Sequence, residues 1–173
     1  MISEPRVLVE KLNPTCRRAL EGAAELCVRR AHPRMEVEHL LLGLLEDARS
    51  DATPLLHHAG IAAADALGDL AAALERIPGG SDGTPGFSPP LLQLLERAWT
   101  VASLRLGEAT IRTGAVLAAA LDDDDARGRL GGSAPSLLRI PRESLRDGLP
   151  ALLRGLPESP APSADGGALA RFT

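Results

Sequence analysis

The residues that could do chemistry in this chain are few: four histidines, two cysteines, an acidic run and a small arginine cluster. His57 and His58 are adjacent, so on a helix they point about 100° apart. No cysteine or carboxylate sits at ligand spacing beside them, so no metal is expected and the histidines are read as solvated or helix-end residues. Glu36, Glu38 and His39 fall where a helix should begin, and carboxylates there favour the helix dipole, so capping rather than acid–base work is the expectation. Asp122 to Asp125 lacks the alternating ligands and turn glycine of a Ca²⁺ loop, so the run should end its helix and stay in solvent. Cys16 and Cys27 lie on one predicted helix, roughly 16 Å apart along its axis, which is beyond disulfide reach. They read as small buried core residues. Lys11 is the only lysine and stands outside any glycine-rich turn, so there is no phosphate-cradling loop and no nucleotide site. Arg29, Arg30 and Arg34 have no interleaved aromatics on which bases could stack, which argues against nucleic acid.

Composition narrows the elements that must position anything else. Hydrophobic residues make up 45% but aromatics only 2%, so the core has to be Leu, Ala and Val, a mixture suited to closely packed helices. A net charge of −4 gives no field to attract nucleic acid or anionic membrane. No 18-residue apolar run occurs, and the first twelve residues carry Glu4, Arg6, Glu10 and Lys11, unlike a membrane span or signal peptide. The chain reads as soluble and cytoplasmic.

The helices come twice. Leu12-Asn-Pro-Thr-Cys-Arg-Arg-Ala-Leu-Glu21 recurs as Phe87-Ser-Pro-Pro-Leu-Leu-Gln-Leu-Leu-Glu96, and Leu40 to Asp47 recurs as Val116 to Asp123. Leu55-Leu56, Asp65, Leu67, Leu70 and Leu74 return as Leu137-Leu138, Asp147, Leu149, Leu152 and Leu156. The spacing widens only between segments, as insertions in surface loops produce. The prediction is an all-α, pseudo-twofold domain: a leading helix over 1–12, a first four-helix repeat over 13–78, a linker over 79–86 and a second repeat over 87–156. A flexible tail over 157–173 should follow. Ser3 should cap the leading helix, Asn13 and Ser88 the first long helix of each repeat, and Thr113 the second helix of the second repeat. Pro150 should kink or shorten the last helix.

Ala98, Ala102 and Leu106 form one i,i+4 row, which Ala115 could join. Small side chains there would let another helix approach, with Arg105 as a polar rim. The same spacing also suits an internal ridge between two helices of the domain itself.

With Glu38-His39-Leu40-Leu41-Leu42-Gly43-Leu44-Leu45 opening the second helix of a duplicated four-helix unit, the chain resembles the amino-terminal domain of Clp/Hsp100 AAA+ chaperones. The extra helix over Pro5 to Leu12, the phrase Lys11 to Leu20 and Ile111-Arg-Thr-Gly114 are similar to the ClpV branch, which serves type VI secretion. Ala168 to Thr173 is similar to the point where the linker of that branch meets its first ATPase module. The resemblance implies a non-catalytic recognition domain, with ATP and Mg²⁺ held by ATPase modules outside this chain and the whole protein hexameric. It implies as partner a helix near the amino terminus of the large type VI sheath protein, bound in a groove for sheath disassembly. On this reading Leu8, Leu12, Asn13, Ala98, Ala102, Arg105 and Ala115 would form that groove, with no nucleic acid or membrane as partner. The alternative is a general Clp disaggregase or unfoldase domain that binds unfolded proteins or adaptors. The second repeat departs from the first in carrying Gly114-Ala115 where the first has Glu38-His39.

Overall fold

The computed structural model describes residues 4–160, which form nine α-helices and one two-residue strand pair. Helix α1 (Pro5–Lys11) leads. The first repeat is α2 (Pro14–Arg29), α3 (Val37–Glu46), α4 (Ala52–His58) and α5 (Ala63–Glu75). The second is α6 (Pro89–Thr100), α7 (Thr113–Asp122), α8 (Asp124–Ser133) and α9 (Arg142–Leu153). No helix among the described residues is long and apolar enough to cross a membrane. The expected all-α duplication with an extra leading helix is what the chain builds.

The two repeats start by the same local chemistry. The Asn13 side chain accepts the Cys16 N–H at 2.8 Å, and Ser88 Oγ accepts the Leu91 N–H at 3.2 Å, each followed by a proline in the first turn. Ser3 lies outside the described residues, and α1 has Glu4 at its N-cap with no side-chain bond. Within the first repeat, α2 and α3 approach closely at Gly43, where a Cβ would stand 2.7 Å from the Ala19 carbonyl oxygen.

The repeats are sewn together by matched backbone pairings. β1 (Arg34–Met35) runs parallel to β2 (Gly86–Phe87), with Met35 opposite Phe87. Its pseudo-twofold mate is the parallel bridge between Leu12 and Ile111, in which Ile111 N–H donates to Lys11 O at 2.7 Å and Asn13 N–H to Ile111 O at 2.9 Å. The expected linker is therefore partly structured: Gly86 is in the strand pair and Ser81 N–H donates to Ala31 O at 2.9 Å. A single apolar core runs through both repeats, with Leu40, Leu44, Leu56 and Leu70 on one side and Leu91, Leu95, Leu117 and Leu149 on the other.

Two local expectations change. Asp122 to Asp125 ends α7 but also starts α8, because Asp123 accepts the Ala126 N–H at 2.9 Å, and Asp122 pairs with Arg142 and Arg146. Thr113 is the first residue of α7 and Arg112 its N-cap, because the Thr113 hydroxyl is engaged across the domain. Pro150 lies inside α9, which runs on to Leu153. In addition, α6 is extended by one π-helical turn, Val101–Arg105, where Leu106 N–H reaches Val101 O at 3.0 Å.

Candidate functional site

The leading helix lies against α6, and the two helices bring Lys11 over the Trp99 ring, 4.8 Å from its centroid. Leu8 and Leu12, exposed by 2% and 3%, point into the core and anchor α1, whereas Val7, exposed by 43%, faces outward. Ala98, Ala102 and Ala115 have no exposed surface in this structure. They stand where α6, its π turn and α7 pack on one another, so their small side chains set the distance between those elements. Of the two readings the spacing allowed, these alanines occupy the internal ridge. Any guest lying here meets the half-buried Trp99 and Ser103 and the exposed Leu104 before it meets them. Arg105 is not a free rim: its guanidinium donates to the carbonyls of Leu145 and Arg146, both at 2.6 Å, and so ties the π turn to α9.

Asn13 belongs to a different and larger feature, a buried polar seam between the repeats. Arg112 is bidentate to Asp51, Nε to Oδ2 at 2.7 Å and an Nη to Oδ1 at 3.0 Å, with side chains exposed by only 3% and 0%. Arg112 also reaches Glu108 at 3.1 Å, Leu153 O at 3.2 Å and Ser159 Oγ at 3.3 Å. Asp51 Oδ2 accepts the Gly114 N–H at 2.9 Å, and this contact needs glycine: a Cβ at residue 114 would lie 2.8 Å from that same oxygen.

Glu158 completes the seam. Its carboxylate accepts from Asn13 Nδ2 at 2.9 Å, Thr113 N–H at 2.8 Å, Asp51 N–H at 2.7 Å and the Thr113 hydroxyl. Burial raises the Glu158 pKa and the neighbouring Asp51 charge raises it further, while the hydrogen bonds from Thr113 and Asn13 pull it back. The expected flexible tail from Pro157 therefore opens with docked residues, since Glu158 and Ser159 are held by the domain. Nothing in a Pro- and Ser-rich stretch signals this, because the partners are far away in the sequence.

The first repeat carries the opposite charge at the position matching Arg112: Glu36 precedes α3 as Arg112 precedes α7, and its partner Arg129 lies in α8. Arg129 pairs with Glu36 at 2.9 Å and Glu38 at 2.8 Å. The Glu36–Glu38–His39 cluster is thus structural, as expected: Glu36 N–H donates to His39 Nδ1 at 2.9 Å at the head of α3.

His57 and His58 are exposed at the end of α4 and His39 caps the start of α3, as expected, but His32 is buried, contrary to the solvated reading, and so is His39. With Cys27 they place three ligand atoms within 4.8 Å of one another. The hydrogen bonds decide what this cluster can do. His39 Nδ1 accepts from the Glu36 amide, so in the neutral ring the proton sits on Nε2, which donates to His32 Nδ1 at 2.9 Å. The His39 lone pair that faces Cys27 and His32 is therefore occupied by a proton, and a metal would have to break the helix cap to reach it. Burial, then the neighbouring His32, pushes the His39 pKa down to about 4. The Cys27 thiol donates to Arg34 O at 3.2 Å. This is a hydrogen-bonded core motif.

The profile of the Clp repeat N-terminal domain family matches residues 11–130. The chain belongs to that family. It is 30% identical over 159 residues to the AAA+ ATPase ClpV1 of Pseudomonas aeruginosa, covering 92% of this chain and 18% of that protein. It is 30% identical over 159 residues to the chaperone protein ClpB of Yersinia enterocolitica, with the same coverage. The chain thus spans about a fifth of the length of these relatives. Among solved structures it is similar to a ClpV N-domain in complex with a VipB peptide, at 32% identity and a TM-score of 0.72, covering 88% of this chain and 93% of that one. These likenesses set the domain beside ClpV N-domains of type VI secretion systems.

Proposed function

We propose that this domain recognises an amphipathic helix of the large sheath protein of a type VI secretion system, and delivers assembled sheath to a hexameric ATPase that takes it apart. The observation that carries the reading is helix α1 laid across α6, an addition outside the duplicated unit, in a chain similar to a ClpV N-domain that has been solved with a VipB peptide. The guest would lie along the junction of α1 and α6. Val7, Trp99 and Leu104 supply its apolar contacts, Leu8 and Leu12 hold α1 in place, Asn13 fixes the start of α2, and Ala98, Ala102 and Ala115 set the floor from beneath. ATP and Mg²⁺ belong to the ATPase modules of the whole protein, in the bacterial cytoplasm.

Burying a few guest Leu or Ile side chains at about 25 cal/mol per Å² is worth several kcal/mol, most of it offset by ordering and lost translation. Affinity per domain is then about micromolar, and six domains on a sheath displaying many copies gain by avidity. The test is titration of a synthetic amino-terminal helix of the large sheath protein into the wild-type domain, Val7→Glu and Trp99→Ala, with thermal melts to show that each is folded. Binding at least ten-fold weaker in both variants supports the reading; unchanged affinity in both places the guest elsewhere. The likeness to ClpB supports a second reading, a general chaperone domain for unfolded chains. Competition separates the two, because an unfolded protein should displace the helix only on the second reading.

A further inference from the structure

The chain leaving α9 does not simply depart. Gly155 has φ +74, a left-handed conformation that turns the backbone out of the helix, and Ser159 N–H closes a second turn onto Leu156 O at 2.8 Å. These two turns carry Glu158 back over the seam between the repeats. There its carboxylate meets the start of α7 through Thr113, the segment entering α4 through the Asp51 N–H, and the N-cap of α2 through Asn13. Ser159 adds a bond to Leu153 O at 3.0 Å and accepts from Arg112. Arg154, Gly155 and Pro157 are exposed, so the grip on the domain rests on the half-buried Leu156 against the core and on the polar contacts of Glu158 and Ser159.

We propose that Gly155 to Ser159 is a strap pinned by Glu158, which fixes the point at which the following chain leaves the domain, beside the start of α2, and which can open without unfolding either repeat. The architecture supports separable opening. The helices keep their own apolar core when the strap lifts, because none of the fully buried core side chains belongs to it. Glu158 is also held against a like charge, since the Asp51 carboxylate stands nearby and Glu158 has no ion pair of its own with Arg112, so the pinned state is less favourable than four hydrogen bonds alone would make it. Gly155 supplies the hinge, because its conformation is one that other residues resist. The inference is independent of what docks on α1.

The test uses this chain with Glu158→Ala and Glu158→Gln, the second keeping the bulk while replacing the carboxylate. Trypsin cleaves after Arg154, so the rate of appearance of the fragment ending there reports strap opening. Amide hydrogen exchange at Thr113 and Asp51 reports the same event from the seam side. The expected result is at least a ten-fold rise in cleavage after Arg154 and in exchange at both amides, with exchange at Leu20 and Leu95 in the helices unchanged. Wild-type rates at Arg154 and at both amides would overturn the strap. Loss of protection throughout the helices would overturn it too, by making Glu158 a pillar of the fold.

Discussion

Replacing Arg112 by Met tests whether the seam holds the two repeats together. Arg112 contributes five hydrogen bonds, two of them to the fully buried Asp51. Methionine fills much of the stem volume but leaves the carboxylates of Asp51 and Glu158 facing each other with no cation. Removing one partner of a buried pair costs about 3–5 kcal/mol, because the surviving charge is stranded. The same truncation at Arg129 should cost less, because its side chain is 33% exposed and water can enter the space it vacates beside Glu36 and Glu38. The assay is urea unfolding at pH 7, with the slope monitored so that a change in midpoint reads as stability. Arg112→Met combined with Asp51→Asn should recover more than about 1 kcal/mol relative to additivity, because Asn removes the stranded charge and still accepts the Gly114 amide. A cost below about 1 kcal/mol for Arg112→Met, or strict additivity in the double variant, would refute the reasoning.

Two further outcomes follow from the first repeat. Ala31 closes α2 with φ +54, in the position that favours glycine, while His32 N–H bonds back to Cys27 O at 2.9 Å. Ala31→Gly should therefore stabilise the domain by about 0.5–1 kcal/mol in the same urea assay, where an Ala→Gly change inside a helix would do the reverse. His39 is held neutral, its folded pKa of about 4 lying below the ordinary 6.5, so its contribution is complete above pH 6.5 and is lost as the pH falls through 4. At full extent it is on the order of 3 kcal/mol. An NMR titration of the His39 ring should give a midpoint below 5, and a midpoint at 6 or above would contradict the hydrogen-bonded pair.

What the sequence by itself determined is local. Asn13-Pro14 and Ser88-Pro89 announce their helices because a cap needs only the next three residues, and the doubled Leu12–Glu21 phrase announces two copies of one unit. The Glu36–His39 start of α3 is legible for the same reason. Tertiary structure decided the rest. Helix α8 forms through Gly128, Gly131 and Gly132, residues of poor helix propensity, because Asp123 caps it, Leu130 is buried and Arg129 is held by Glu36 and Glu38 across the repeat boundary. Ala98 and Ala102 show a row of small residues, but only the position of α7 determines that the row faces inward. Asn13 to Glu158 spans 145 residues and Arg112 to Asp51 spans 61. No periodicity or capping rule reaches across such separations, because these pairs exist only once the two halves of the chain have closed on each other.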